Sequence, residues 1–347
     1  MSSVGFLLHV SISIARRSSK QPGESPVVDF SPRGNNLRRI ITMAINSQQP
    51  PTRCAVVTGA NKGIGLETVR QLAKTGVAVV LTARDEQRGM EAIKSLHQSG
   101  LSNVLFHQLD VRDAGSIEAL AKFVSEEFER LDILVNNAGA SGVEVDGDAL
   151  RALNIDPAEW LAGKAVNLVQ DVMITTYKTA KECLDTNYYG VKNVTEALLP
   201  LLQRSLTGAR IVNVSSLRSE LNRIPNEQVR EELSSVETLT EEKIDRIVQK
   251  FLHDVKCKAI EANGWQKMLP AYSISKATLN AYTRVLAKKY LNMLVNCVHP
   301  GYVKTDINWN TGVLTVEEGA AGSVMLALLP DGGPTGCYFD RMHVAEF

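Results

Sequence analysis

Three times in this chain a tyrosine precedes a lysine by four residues: Tyr177/Lys181, Tyr188/Lys192 and Tyr272/Lys276. On a helix such a pair shares one face, and the pair has a chemistry. A phenol titrates near 10 in water, so it exchanges protons near neutrality only beside positive charge. Carbonyl reduction needs such an acid for the developing alkoxide, together with a hydride source and a group that polarises the C=O. Position separates the three copies. The first two precede the apolar run Arg210–Val214, on the helix leading into it, and read as surface or packing residues. Tyr272 alone follows that strand and its terminal Ser215-Ser216, where a following helix turns it toward the strand ends. Tyr272 and Lys276 are the candidate acid and its helper.

A second constellation suits phosphate. Thr58-Gly59-Ala60-Asn61-Lys62-Gly63-Ile64-Gly65 lies between an apolar run and a helical one. Glycines there permit a tight turn and let backbone N–H groups approach a pyrophosphate at a helix N-terminus. The spacing G-x-x-x-G-x-G is neither G-x-G-x-x-G nor the P-loop pattern. The next strand ends in Arg84-Asp85. An acid at that point binds a free ribose 2′-hydroxyl, and an arginine accommodates a 2′-phosphate. Arg84, assisted by Lys62, favours NADP(H); Asp85 is the rival that would favour NAD. Asp110-Val111 follows the third strand, where a carboxylate meets an adenine amino group, and Asn136-Asn137-Ala138-Gly139 follows the fourth. Pro300-Gly301 turns the chain after a later strand.

The elements that position these groups alternate. Strands are expected at residues 55–58, 77–82, 104–109, 133–135, 210–214 and 294–298, with helices at 64–74, 86–97 and 116–128 between them. Gly76 is the expected stop of the first helix. Continuous rather than alternating apolar strands between helices indicate a parallel sheet covered on both faces, a doubly wound α/β fold.

TGANKGIG, LDV, NNAG and the S-Y-x-x-x-K arrangement resemble the classical short-chain dehydrogenase/reductase family over about residues 54–347. NNAG followed by a long segment, TNYYG, a helical insert before the active Tyr, and HPGYVKTD resemble its branch of plant menthone/neomenthol dehydrogenases and salutaridine reductase, with carbonyl reductase as a wider relative. The resemblance implies a single Rossmann-type sheet and NADPH-dependent reduction of a ketone or aldehyde of terpenoid, alkaloid or xenobiotic kind. It picks Ser216 to polarise the carbonyl, with Ser215 as fallback, and Asn187 as the residue holding a water that connects Lys276 to solvent. It gives Tyr272 the role of proton donor and has Lys276 lower its pKa while binding the nicotinamide ribose. Val303 and Thr305 then meet the carboxamide. The same residues run in reverse would make an NADP-linked alcohol dehydrogenase; a non-catalytic NADP-binding sensor would be expected to lack one of the four catalytic positions, and all are filled.

Residues 217–271 separate Ser216 from Tyr272, too many for a simple loop. Ile244, Ile247, Val248, Phe251, Leu252 and Val255 form a helical apolar stripe with Thr240, Glu241 and Glu242 at its start. In the resembling enzymes this insert covers the helices used elsewhere for dimerisation, so a monomer is expected. Trp160, Met173, Trp309 and Val313 are candidate walls of an apolar substrate pocket.

Composition sets the outer limits. The 347 residues hold 38 Lys plus Arg against 38 Asp plus Glu, 44% apolar and 22% charged residues. The balance argues against nucleic acid as a partner, which demands clustered positive charge, and no apolar run approaches the roughly 18 residues of a membrane span. Five scattered cysteines without C-x-x-C, and six histidines without H-E-x-x-H, support neither disulfides nor a metal site. Residues 1–50 differ from the rest: six basic and two acidic side chains up to residue 42, many Ser and Pro, and Pro50-Pro51 as a boundary. They read as a transit-like extension (plastid or mitochondrion) or as an upstream start before Met43, with the cytoplasm as the expected compartment. Residues 51–347 then form one reductase domain whose insert is 217–271.

Overall fold

The computed structural model describes residues 52–347; the extension expected over residues 1–50 lies outside the described residues. Apolar strands alternate with amphipathic helices from the start. β1 (Cys54–Val57), α1 (Gly63–Lys74), β2 (Ala78–Ala83), α2 (Glu86–Gln98), β3 (Val104–Gln108), α3 (Ala114–Phe128) and β4 (Ile133–Asn136) follow one another. Gly76, at φ +87°, stands just beyond the Thr75 cap of α1, where a left-handed residue ends a helix. Two N-cap carboxylates set helix starts: Asp85 accepts from the Arg88 N–H, and Asp113 from that of Ser116.

Residues after β4 fold into a flap over the strand ends. A short ribbon pairs β5 (Glu144–Val145) with β6 (Met173–Ile174), and three short helices lie between them: α4 (Gly147–Ala152), α5 (Pro157–Ala162) and α6 (Val166–Val169). Leu150, Trp160, Ala165, Val169 and Met268 form a small core of their own there. Next come α7 (Tyr177–Leu184), a π-turn at Asp185–Tyr189, and α8 (Gly190–Leu202). The Gly190 N–H reaches back to the Asp185 carbonyl, so the expected single helix carries one widened turn.

The chain then runs through β7 (Arg210–Val214), the insert helices α9 (Glu227–Ser234) and α10 (Glu241–Lys256), α11 (Pro270–Lys289), β8 (Leu294–His299), α12 (Val316–Ala327), β9 (Tyr338–Asp340) and β10 (His343–Ala345). The eight-stranded sheet has the order β10-β9-β8-β7-β4-β1-β2-β3, parallel except for the antiparallel β9/β10 pair. Strand side chains divide between two cores. Cys54, Val56, Leu134 and Ile211 face α3, α8 and α11, while Ala55, Val57, Val135 and Val212 face α1, α2 and α12. Burial on both faces is why the strands read as continuous apolar runs. Strand order reverses between β1 and β4, and the crevice beyond their carboxyl ends is where such sheets take ligands.

The insert is held by more than its stripe. Ile244, Ile247, Val248, Phe251, Leu252 and Val255 are all buried. The Thr240 side chain caps α10 by accepting from the Lys243 N–H. Tyr188 is fully buried and its hydroxyl donates to Asp245 at 2.8 Å. Lys192 reaches Asp245 at 3.1 Å and Glu241 at 3.2 Å. The second Tyr/Lys pair is therefore the socket of the insert. The first is a solvent-side pair: Tyr177 is exposed, and Lys181 bonds Asp185 at 2.5 Å.

Candidate active site

A cavity of about 820 Å³ opens at the switch point. Gly59, Asn61, Lys62, Gly63, Ile64, Gly65, Arg84, Asp110, Val111, Asn137, Ala138, Gly139, Pro300, Gly301, Val303 and Thr305 all line it, as do Ser216, Tyr272 and Lys276. Glycine is required where the loop meets β4. At Gly59 (φ +61°) a Cβ would stand 2.8 Å from the Ala138 Cα, and at Gly65 it would stand 2.4 Å from the Asn137 amide nitrogen. Thr58 fixes the same junction: its Oγ1 accepts from the Asn137 and Ala138 N–H groups at 2.9 and 3.0 Å. The Asn137 amide in turn donates to the Thr58 and Gly59 carbonyls at 2.9 and 3.0 Å. Asn137 thus shapes the loop with its side chain. Lys62, at the N-cap of α1, makes no capping side-chain bond, which leaves the helix's first N–H groups facing the cavity mouth without a side-chain acceptor.

Charge at the adenosine end differs in part from the sequence expectation. Asp85 is committed to capping α2 and pairs with Arg88 at 3.7 Å, and it does not line the cavity. Arg84 does line it, and is exposed. Lys62, expected to assist Arg84, instead bonds Asp306 at 2.5 Å, an exposed pair linking the glycine loop to the loop after β8. Asp110 bonds Arg112 at 3.3 Å; desolvation alone would raise its pKa, but the Arg112 hydrogen bonds and charge outweigh this and hold it below the usual carboxylate range.

At the other end β7 and α11 bring the reactive side chains together. The two serines after β7 part company. The Ser215 hydroxyl donates to the Asn280 Oδ1 at 2.6 Å, whereas Ser216 accepts the Arg218 N–H at 3.2 Å and neighbours the Tyr272 phenol. Burial pushes that phenol up to about 12; Ser216 pulls it down, the Cys183 thiol adds to the rise and the Arg218 charge opposes it. Lys276 lies one turn on, its Nζ donating to the Val214 carbonyl at 2.7 Å. Burial pulls its ammonium down to about 8.

Asn187 lies behind the cavity wall rather than on it, fully buried in the π-turn. Its Oδ1 accepts from the Ala140 N–H at 2.8 Å, and its amide donates to the Ala140 carbonyl at 3.0 Å and to Ser275 at 2.9 Å. The side chain fixes the strand end after NNAG against α11, a positioning role.

The wall candidates separate too. Trp160 and Trp309 line the cavity, and Trp160 stacks on Tyr302 with ring centroids 6.4 Å apart. Met173 pairs with Val145 in the flap ribbon, and Val313 is an exposed residue; neither lines the cavity, because alternation and exposure carry them away from it. Sequence reasoning missed Thr58, Arg218 and His299. Thr58 adjoins the glycine loop and was within reach of a closer reading. His299 opens the HPGYVKTD motif, which marks its place but not its burial; Arg218 had no signal, since its burial depends on distant segments. His299 lines the cavity with its Nδ1 unpartnered, and burial pulls it down to about 4, so it is neutral at ordinary pH. Among the described residues no cluster of His, Cys, Asp or Glu has the makings of a metal site, and no helix is long and apolar enough to cross a membrane.

The short chain dehydrogenase family model matches residues 53–227 and 259–313. The chain is 50% identical over 299 residues to a (+)-neomenthol dehydrogenase of Arabidopsis thaliana, covering 85% of this chain and 98% of that one. It is 39% identical over 289 residues to the NADPH carbonyl reductase 3 of Mus musculus, covering 80% and 92%. The solved structure of salutaridine reductase from Papaver somniferum superposes with a TM-score of 0.78 at 50% identity, covering 83% of this chain and 99% of that one.

Proposed function

The chain belongs to the short-chain dehydrogenase family, and from that premise we propose that it reduces a ketone or aldehyde to the alcohol with NADPH. One observation carries this reading: Ser216, Tyr272 and Lys276 line the same cavity as the glycine loop and Arg84.

The residues present fit the dinucleotide. A Cβ at Gly59 or Gly65 would collide with the β4 junction, so the loop is built for close backbone approach, and the uncapped start of α1 offers N–H donors to a pyrophosphate. Arg84 at the end of β2 suits a 2′-phosphate, the more so since Asp85 is committed to its helix. NADPH, when bound, supplies hydride to the carbonyl carbon. Ser216 polarises the carbonyl by hydrogen bonding its oxygen. Tyr272 holds the proton that the same oxygen takes up, and a phenol raised to about 12 is fully protonated at neutral pH. The oxidative alternative uses the same residues in reverse, and the cofactor ratio sets the direction. The Lys276 ammonium, held by Val214, binds the nicotinamide ribose and stabilises the phenolate as it forms. The sensor alternative is disfavoured because every reactive position is filled.

A monomer accompanies this reading, because α10 packs on α7 and α11 and α9 packs on α11, covering those helix faces. The compartment is the cytoplasm, or a plastid or mitochondrion if residues 1–42 direct import. Localising the full chain with a C-terminal fluorescent tag distinguishes them. The activity itself is tested by following NADPH oxidation with a panel of ketones and aldehydes; equal use of NADH would overturn the Arg84 argument, and no turnover with any carbonyl would overturn the function.

A further inference from the structure

One wall of the cavity carries a cation for which the proposed reaction supplies no counter-ion. Arg218, two residues beyond Ser216, lines the cavity and is only 8% exposed. Its Nη2 donates to the Trp160 carbonyl near the end of α5 and contacts the Met268 sulfur at 3.4 Å. Gly163, at φ +76°, leaves room for the guanidinium: a Cβ there would stand 3.2 Å from Nη1. These contacts clamp the flap through one nitrogen. Among the described residues Nε and Nη1 meet no protein acceptor. Neither is sealed inside the protein as an orphan, unlike the Nε of Arg53 and Arg284, and the residue lines the cavity.

No carboxylate answers this charge. The acidic residues on the cavity wall are engaged elsewhere, Asp110 with Arg112 at 3.3 Å and Asp306 with Lys62 at 2.5 Å. Glu220, next along the insert, pairs with Arg223 at 2.9 Å. A buried guanidinium without a counter-ion is costly, and its planar fork matches a carboxylate with two parallel hydrogen bonds. Burial, and then the neighbouring Arg223, pull Arg218 down to about 10, the direction of an uncompensated cation. Around it the walls are apolar: Trp160, Leu161, Leu217 and Trp309.

We propose that Arg218 receives a carboxylate carried by the substrate, so that the enzyme's preferred substrates are apolar oxo acids. The carbonyl of such a compound meets Ser216 and Tyr272 while its carboxylate sits on the guanidinium. The proposal rests on the carbonyl-reductase reading and narrows its substrate class.

The test uses the full chain with NADPH and matched pairs: levulinate, a cyclohexanone carboxylate and a keto fatty acid, each against its own methyl ester. The acid is expected to exceed the ester in kcat/KM by about 10- to 100-fold in at least one pair, the value of a charge-assisted hydrogen-bonded contact. R218M is expected to bring that ratio to about one, with R218K between. The ratio is taken within each protein, so a loss of folded material scales both rates alike, and the wild-type ratio needs no variant. Wild-type enzyme that turns over every ester as well as its acid overturns the proposal and leaves carbonyl reduction standing; so does R218M that keeps the preference. Absence of turnover with every acid and every ester overturns both.

Discussion

The Lys276 ammonium stands 5.7 Å from the centre of the Tyr272 ring and donates to the Val214 carbonyl. The two side chains share one turn of α11, while Ser216 and the Arg218 charge are the neighbours that act to lower the phenol's pKa against its burial. Lys276 is thus poised beside the acid, held by the last carbonyl of β7.

A pH profile follows. Burial holds Lys276 at about 8, so its charged form is present below that value and is lost as pH rises through it. Tyr272, at about 12, stays protonated across the same range. Reductive kcat/KM is expected to be level through neutrality and to fall above pH about 8, with the break absent in K276M. A wild-type profile that stays level well above that point contradicts the assignment.

Cofactor choice is placed on Arg84 alone. R84A is expected to weaken NADPH by about 10- to 100-fold, the worth of a charge-assisted contact, while NADH is unchanged. D85N, which keeps an acceptor for the Arg88 N–H, leaves the preference intact. Initial rates with the two nucleotides at varied concentration measure both effects.

Asn187 carries four side-chain bonds that N187A removes; the Ala140 N–H loses its acceptor, while the Ala140 carbonyl keeps only the Cys183 thiol at 3.2 Å. Loss of about 1–3 kcal/mol in stability is expected, read from denaturant midpoints. N187D keeps the acceptor for Ala140 and is expected to lie between the two.

Much of this was legible in the sequence, for a physical reason. Strands buried on both faces appear as unbroken apolar runs, and the α10 stripe with Thr240 at its head appears as periodicity with a cap. Glycine at 59 and 65 is written by close approach of backbone to β4. What stayed hidden depends on contacts between distant segments. The π-turn at Asp185–Tyr189 changes one hydrogen-bond register and leaves no periodic mark. Arg218 reads as a surface charge until Trp160, 58 positions earlier, closes over it. Lys62 looked like a partner of Arg84, and only the path of the loop after β8 brings Asp306 to it instead.

The insert makes its own prediction. D245A leaves the fully buried Tyr188 hydroxyl without its acceptor and removes one anion from Lys192, and is expected to cost about 1–3 kcal/mol. E237A, which breaks the exposed pair with Lys288, is expected to leave the midpoint where it is. Sedimentation is expected to give a monomer for the wild type; a dimer mass would contradict the view that α9 and α10 cover the assembly face.

Tyr272→Phe tests the central claim most directly, because it deletes the phenol oxygen and keeps the ring. NADPH oxidation with a reducible carbonyl is expected to slow by about 100- to 10,000-fold, with NADPH binding and the unfolding midpoint retained. Wild-type turnover by the Phe variant would show that the proton comes from elsewhere and would contradict the mechanism.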